Sequence, residues 1–295
     1  MRPEDLPVAG VEVEHRYVDA RGLRTHVALA GPESGDPVVL VHGWPQHWWI
    51  WREVIPPLAG AGYRCVCPDL RGHGWTEAPP DGYEKEQFAT DVLAALDTLG
   101  VERFKLVGHD WGGFAGFLMA LRAPERVERF LALSIIHPWI RRQGGPLEIV
   151  KQLLGASYQF VISSPVVGRQ VVQRTPFIDV VLGRGAGSPL PQHVREAYTQ
   201  RWREPDRAAA TTAIYRTLLL REIGAILAGR YRDMRLRVPT VLVHGDRDPV
   251  IRAERLRGFE QHADDMRVGQ VAGGHFLPDE QPGIVAEQAL ALFAR

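Results

Sequence analysis

The stretch Lys105-Leu106-Val107-Gly108-His109-Asp110-Trp111-Gly112-Gly113 decides the fold. Phe104–Gly108 is strand-like and Gly112–Leu121 has helical spacing, so the pentad Gly108–Gly112 stands where a strand turns into a helix. Glycines on both sides permit a turn sharp enough to push the central side chain into a cleft. Such elbows commonly carry Ser in the middle; this one carries Asp110. A carboxylate is already ionised at neutral pH. It needs no base before attacking an electrophilic carbon, and that attack yields an enzyme-bound ester. The ordinary role of an Asp at such a place is to cap a helix. The glycines around Asp110, and the partners identified below, favour a nucleophile.

Upstream, Val11–Val18 and Leu23–Leu29 alternate like strands across Asp19-Ala20-Arg21-Gly22, which predicts an antiparallel pair. Pro37–Val41 is apolar without alternation, as befits a strand buried on both faces. A helical stretch follows at Trp51–Ala59, then a strand at Tyr63–Cys67 running into Pro68-Asp69-Leu70-Arg71-Gly72-His73-Gly74. Glu84–Leu99 has helical spacing at Phe88, Val92, Leu96 and Leu99, with Gly100 placed to end it. Downstream, Phe130–Ile136, Thr240–His244 and Arg267–Val271 read as strands, and Pro282–Ala294 as a last helix. Strands alternating with helices at this rhythm imply an α/β fold, a mostly parallel central sheet with helices on both faces.

Between Pro138 and Val238 the rhythm breaks into helical patches at Leu147–Leu154, Pro191–Arg201 and Arg207–Arg221, with no convincing central strand. The expected organisation is therefore a core of residues 1–137 and 238–295, with residues 138–237 inserted as a helical cap. A cap there would cover the carboxyl edge of the sheet, where open α/β sheets bind ligands.

Composition narrows the partners. Lys+Arg and Asp+Glu both total 35, so no basic excess points to nucleic acid or an anionic membrane. The longest apolar runs fall short of the ~18 residues of a membrane span, and Met1–Gly10 has no apolar signal core. A cytoplasmic location is the expectation. Cys65 and Cys67 are too few for a disulfide framework or a zinc site and read as small buried residues.

An ester on Asp110 must be hydrolysed by water, which requires a base. Gly273-Gly274-His275-Phe276 lies after the last strand and before the last helix, where the elbow's histidine falls in chain order. His244-Gly245-Asp246-Arg247-Asp248-Pro249 offers two acids to orient it. Asp248 is favoured, with Asp246 forming the turn. His42-Gly43-Trp44-Pro45 follows a strand; the backbone N–H groups of Trp44 and Trp111 can meet at one point as an oxyanion hole. Trp44–Pro45 is a bond at which a cis peptide is accessible.

Together these motifs resemble the epoxide hydrolase branch of the α/β-hydrolase fold, over nearly the whole chain. Haloalkane dehalogenases are similar in nearly all of them, but commonly carry Asn or Glu where Trp44 follows His42-Gly43. Fluoroacetate dehalogenases have arginines where this chain has Trp111 and Phe114. The resemblance implies two cap tyrosines that hold and protonate the epoxide oxygen. Tyr158, before Gln159 in an aromatic stretch, and Tyr215, before Arg216, match them. Tyr198 and Tyr231 are alternatives for the second. Trp48, Trp49, Phe114, Phe117 and Trp139 are candidate apolar walls. The implied reaction is hydrolysis of a small, uncharged, apolar epoxide by water, without metal or organic cofactor, by a monomer or homodimer. The rival readings are a dehalogenase and a catalytically silent small-molecule receptor.

Overall fold

A computed structural model describes residues 1–140 and 157–294; the helical patch expected at Leu147–Leu154 lies outside the described residues. Eight strands form one sheet: β1 (Val13–Ala20), β2 (Leu23–Ala30), β3 (Asp36–Val41), β4 (Tyr63–Pro68), β5 (Phe104–His109), β6 (Val127–Leu133), β7 (Thr240–Gly245) and β8 (Met266–Val271). Their order across the sheet is β1-β2-β4-β3-β5-β6-β7-β8. β2 runs antiparallel to both β1 and β4, and every other neighbouring pair is parallel. The chain belongs in the α/β class that the strand–helix rhythm implies.

Strand order reverses at β3. The chain passes from β3 outward to β4, then returns to the other side of β3 as β5. Such a switch opens a crevice at the carboxyl ends of the two strands. β3 and β5 are the central strands, and Val38–Val41, Leu106 and Val107 have no solvent exposure. Burial on both faces explains why these runs are apolar without alternation.

The helices of the core are α1 (Ile55–Gly60), α2 (Lys85–Thr98), α3 (Trp111–Arg122), α10 (Leu277–Glu280) and α11 (Pro282–Phe293). Between β6 and β7 come α4 (Ser157–Ile162), α5 (Val167–Arg174), α6 (Phe177–Gly185), α7 (Gln192–Trp202), α8 (Pro205–Thr217) and α9 (Ile223–Leu227). α8 and α9 are joined by a π turn at Leu218–Glu222.

Several boundaries differ from the sequence reading for local reasons. The stretch expected as one helix at Trp51–Ala59 divides into a 3-10 turn, Trp48–Trp51, and α1. Pro56 and Pro57 lack the N–H needed inside a helix and suit only its first turn. β6 starts earlier and stops earlier than Phe130–Ile136, because Ser134 turns the chain at φ 47°. The helix expected over Arg207–Arg221 is interrupted by the π turn. Cys65 and Cys67 are free and buried. Among the described residues no helix is long and apolar enough to cross a membrane.

Candidate active site

Asp110 follows β5 with φ 50° and ψ −122°. A non-glycine residue held there stores about 1–3 kcal/mol of strain, which surrounding packing must impose. The two glycines make that packing feasible. A β-carbon on Gly108 would come within 2.6 Å of the Gly112 carbonyl oxygen, and one on Gly112 would collide with the carbonyls of Val41 and His42. The elbow therefore nests against the end of β3, and Asp110 emerges beside the loop that follows it. There the Trp44 backbone N–H donates to Asp110 Oδ1 at 2.9 Å. The Trp44–Pro45 peptide is cis. Gly43 passes so close that a β-carbon would lie 2.8 Å from Asp110 Cγ.

His275 follows β8 on the glycine pair Gly273-Gly274. Its backbone N–H donates to the Gly185 carbonyl at 2.8 Å, and its carbonyl accepts from His109 Nε2 at 2.8 Å. The imidazole is thereby fixed from the inserted helices and from the elbow at once. Its Nδ1 lies 2.9 Å from Asp248 Oδ2 and its Nε2 3.5 Å from Asp110 Oδ2. Asp248 Oδ1 accepts the backbone N–H groups of Val250 and Ile251 at 2.7 and 2.9 Å. Asp246 instead accepts the Gly273 N–H at 3.0 Å, tying the two loops together.

Charge follows from this geometry. Burial works to strip the proton from His275, but the carboxylates of Asp248 and Asp110 outweigh it and push its pKa up to about 10. For Asp248, burial favours the neutral acid; the His275 charge and the two backbone donors win, and its pKa is lowered. The resting site is thus an imidazolium between two carboxylates.

Over Asp110 lies a cavity of about 1950 Å³, lined by Trp44, Trp111, Phe114, Tyr158, Tyr215 and His275 among others. Tyr158 and Tyr215 come from α4 and α8, with ring centroids 6.1 Å apart. Burial raises the pKa of both phenols, so they are protonated hydrogen-bond donors at neutral pH. Tyr215 also meets the Trp44 ring edge-on, 5.1 Å between centroids.

Other aromatic residues singled out from the sequence stand elsewhere. Tyr198 and Tyr231 do not line the cavity; the Tyr198 hydroxyl lies 3.0 Å from Asp279 Oδ1. Trp48 and Trp139, expected as substrate walls, are absent from it too, as are Trp49 and Phe117. Trp48 packs on His15 of β1 and His26 of β2. Trp139 stacks on His262 at 5.2 Å and donates to the Tyr231 carbonyl. Both are buried core residues.

Two further residues had no role in the sequence reading, although the first belongs to a motif quoted there. Asp69, at 1% exposure, is a buried hub that receives the Trp48 and Trp75 N–H groups and the His26 imidazole at 2.8–3.0 Å. Its place after a strand was the available signal. Lys85 lines the cavity, and nothing in the pattern of α2 distinguishes it from a solvated lysine. Among the described residues no group of three or more His, Cys, Asp or Glu is arranged to hold a metal ion.

Residues 36–282 match the family described as the alpha/beta hydrolase fold. The chain belongs to the α/β-hydrolase fold family. Within it, the soluble epoxide hydrolase of Corynebacterium sp. (strain C12) is 30% identical over 290 residues, covering 96% of this chain and 98% of that one. The AB hydrolase superfamily protein YfhM of Bacillus subtilis (strain 168) is 28% identical over 284 residues, 94% of this chain and 97% of that protein. Among solved structures, the epoxide hydrolase CorEH without ligand superposes with a TM-score of 0.83 at 29% identity, over 96% of this chain and 99% of that one. The similarity spans both the α/β-hydrolase sheet and the helices inserted in it.

Proposed function

We propose that this α/β-hydrolase converts epoxides to vicinal diols through a covalent ester on Asp110, with the helices of residues 138–237 as a cap over the site. The observation that carries the reading is the meeting of one buried and one partly buried phenol with a carboxylate, an imidazole and a second carboxylate around one apolar cavity. The epoxide hydrolases among its relatives support it.

Asp110 Oδ1 is held by the Trp44 N–H, which leaves Oδ2 to attack. The Oδ2–carbon bond forms, the ring carbon–oxygen bond breaks, and the oxygen takes a proton from Tyr215 or Tyr158. Two donors on a developing alkoxide are worth most in a cavity that excludes water. Esterification also removes the Asp110 charge that holds the proton on His275. That proton restores the phenol, and the neutral imidazole, oriented by Asp248, becomes a base. His275 then deprotonates a water that attacks the ester carbonyl. The oxyanion develops on Oδ1 against the Trp44 and Trp111 backbone N–H groups. Collapse expels the diol oxygen as an alkoxide, which takes the proton of the newly added hydroxyl by way of His275, so the diol leaves, Asp110 is a carboxylate again and His275 is again an imidazolium. The proton count closes without another reagent. The reacting ligand is a small, uncharged, apolar epoxide.

One observation favours a second reading. Trp111 Nε1 is a buried donor at the cavity wall beside Tyr215, and such a donor suits a leaving halide. Replacing His275 by Gln should trap the ester, and intact-mass analysis distinguishes the two. Addition of the whole epoxide, mapped to Asp110, is the expected result. Addition only from a bromoalkane, with halide lost, would make the chain a dehalogenase. No adduct from either would sink the covalent mechanism.

A further inference from the structure

The mechanism leaves a buried charge unused. Lys85, the first residue of α2, has no solvent exposure although it borders the cavity above Asp110. Its ammonium lies 2.9 Å from Glu222 Oε2, donates to the Tyr83 carbonyl at 3.2 Å, and sits 4.6 Å from the centroid of the Trp111 ring. The other oxygen of Glu222 accepts the Lys85 backbone N–H at 2.7 Å. One carboxylate from the inserted helices thus grips both the backbone and the side chain of a core residue.

Stability alone does not account for such a pair, because desolvating two charges often offsets their attraction, and apolar replacements are commonly as stable. Its placement is more informative. Tyr215 and Glu222 are seven residues apart and would share one face of a regular helix. The π turn at Leu218–Glu222 takes up about one extra residue, and each residue is about 100° of rotation. Tyr215 therefore stays on the cavity wall while Glu222 turns off it, toward Lys85. Trp111 completes the contact: the ring that rests on the Lys85 ammonium also meets Tyr215, 6.5 Å between centroids at 69°.

We propose that Lys85 is a positioning residue for epoxide opening, which anchors the π turn through Glu222 and seats Trp111 so that the Tyr215 hydroxyl stays over Asp110. The inference rests on the assignment of Tyr215 as a proton donor. The step it serves is the one in which the Oδ2–carbon bond forms, the carbon–oxygen bond breaks and the phenol proton passes to the leaving oxygen. Ester hydrolysis uses His275, Asp248 and the Trp44 and Trp111 backbone N–H groups; of these residues Lys85 meets only the Trp111 ring, so ester formation should respond more strongly than hydrolysis.

Rapid-quench single turnovers on the full chain read ester formation and ester hydrolysis separately. Lys85→Met is expected to slow ester formation by roughly tenfold or more while hydrolysis changes by less than about twofold. The loss should be larger for alkyl epoxides than for nitrophenyl-substituted ones, because a more basic alkoxide depends more on the acid. Lys85→Arg should recover part of the rate. The double variant Lys85→Met/Glu222→Leu leaves no unpaired buried charge, so it should fold as the parent does yet remain slow in ester formation. Full recovery in the double variant would make the pair merely structural and overturn the inference, as would equal slowing of both steps or no change. If the unmodified protein forms no ester from any epoxide, the proposed reaction itself has failed.

Discussion

Replacing Asp110 by Asn tests the electrostatic switch on which the proposed two-step reaction depends. Asn is nearly the shape of Asp and, like the ester, uncharged. In the resting site Asp110 Oδ2 lies 3.5 Å from His275 Nε2, with both side chains largely shielded from water. At that distance and an effective dielectric of about 20, one anion contributes ~5 kcal/mol to holding the imidazolium proton. With about 1.4 kcal/mol per decade, that is roughly three orders of magnitude in proton affinity. His275, whose pKa stands at about 10 with both carboxylates charged, should become titratable near neutral pH once Asp110 is neutral. Long-range proton–nitrogen NMR on histidine-labelled protein follows the ring directly, and His275→Gln identifies its signal among the 11 histidines. The sign is fixed: neutralising Asp110 must move the midpoint down. If the midpoint in Asp110→Asn lies within about one pH unit of the parent, Asp248 alone holds the proton. Esterification would then not release the base, and the proton cycle proposed above would be wrong.

Two further outcomes follow from the cavity. Tyr215→Phe and Tyr158→Phe should each slow ester formation, by about 10²-fold for whichever phenol transfers the proton, without lowering the rate at which a preformed ester is hydrolysed; equal loss in both steps would remove the phenols from their role. Leu220 is 69% exposed and Phe160 51% exposed, and both line the cavity, so a longer apolar substrate should cover them. Leu220→Glu should raise KM for a long-chain epoxide roughly tenfold, or ~1.4 kcal/mol, less than the ~1.5–3 kcal/mol of a fully buried Leu. A short epoxide should be unaffected, and an equal effect on both would place the substrate elsewhere.

Much of this protein was legible without coordinates because its strongest signals are local. Residues Lys105–Gly113 carry their meaning in the backbone: an apolar run, then glycines where a β-carbon would strike a carbonyl or the next turn. Strand–helix alternation told of a parallel sheet, since parallel strands need crossovers and burial on both faces leaves apolar runs. Asp110, Asp248 and His275 likewise stand in the segments that leave the carboxyl ends of β5, β7 and β8.

What the tertiary structure decided was which side chains share a space when nothing local distinguishes them. Tyr158, Tyr198, Tyr215 and Tyr231 are equivalent as sequence; only the packing of α4 and α8 over the sheet turns Tyr158 and Tyr215 into the cavity while Tyr198 meets Asp279. Trp48 and Trp139 looked like walls and proved to be core, because an aromatic residue records hydrophobicity and not direction. The Lys85–Glu222 pair joins residues 137 positions apart across a π turn that the 3.6-residue period hides. The sequence by itself determined the sheet, the elbow and the chain order of Asp110, Asp248 and His275. The sharing of one cavity by distant side chains depends on how helices rotate and pack, and that physical fact is set only when the whole chain is folded.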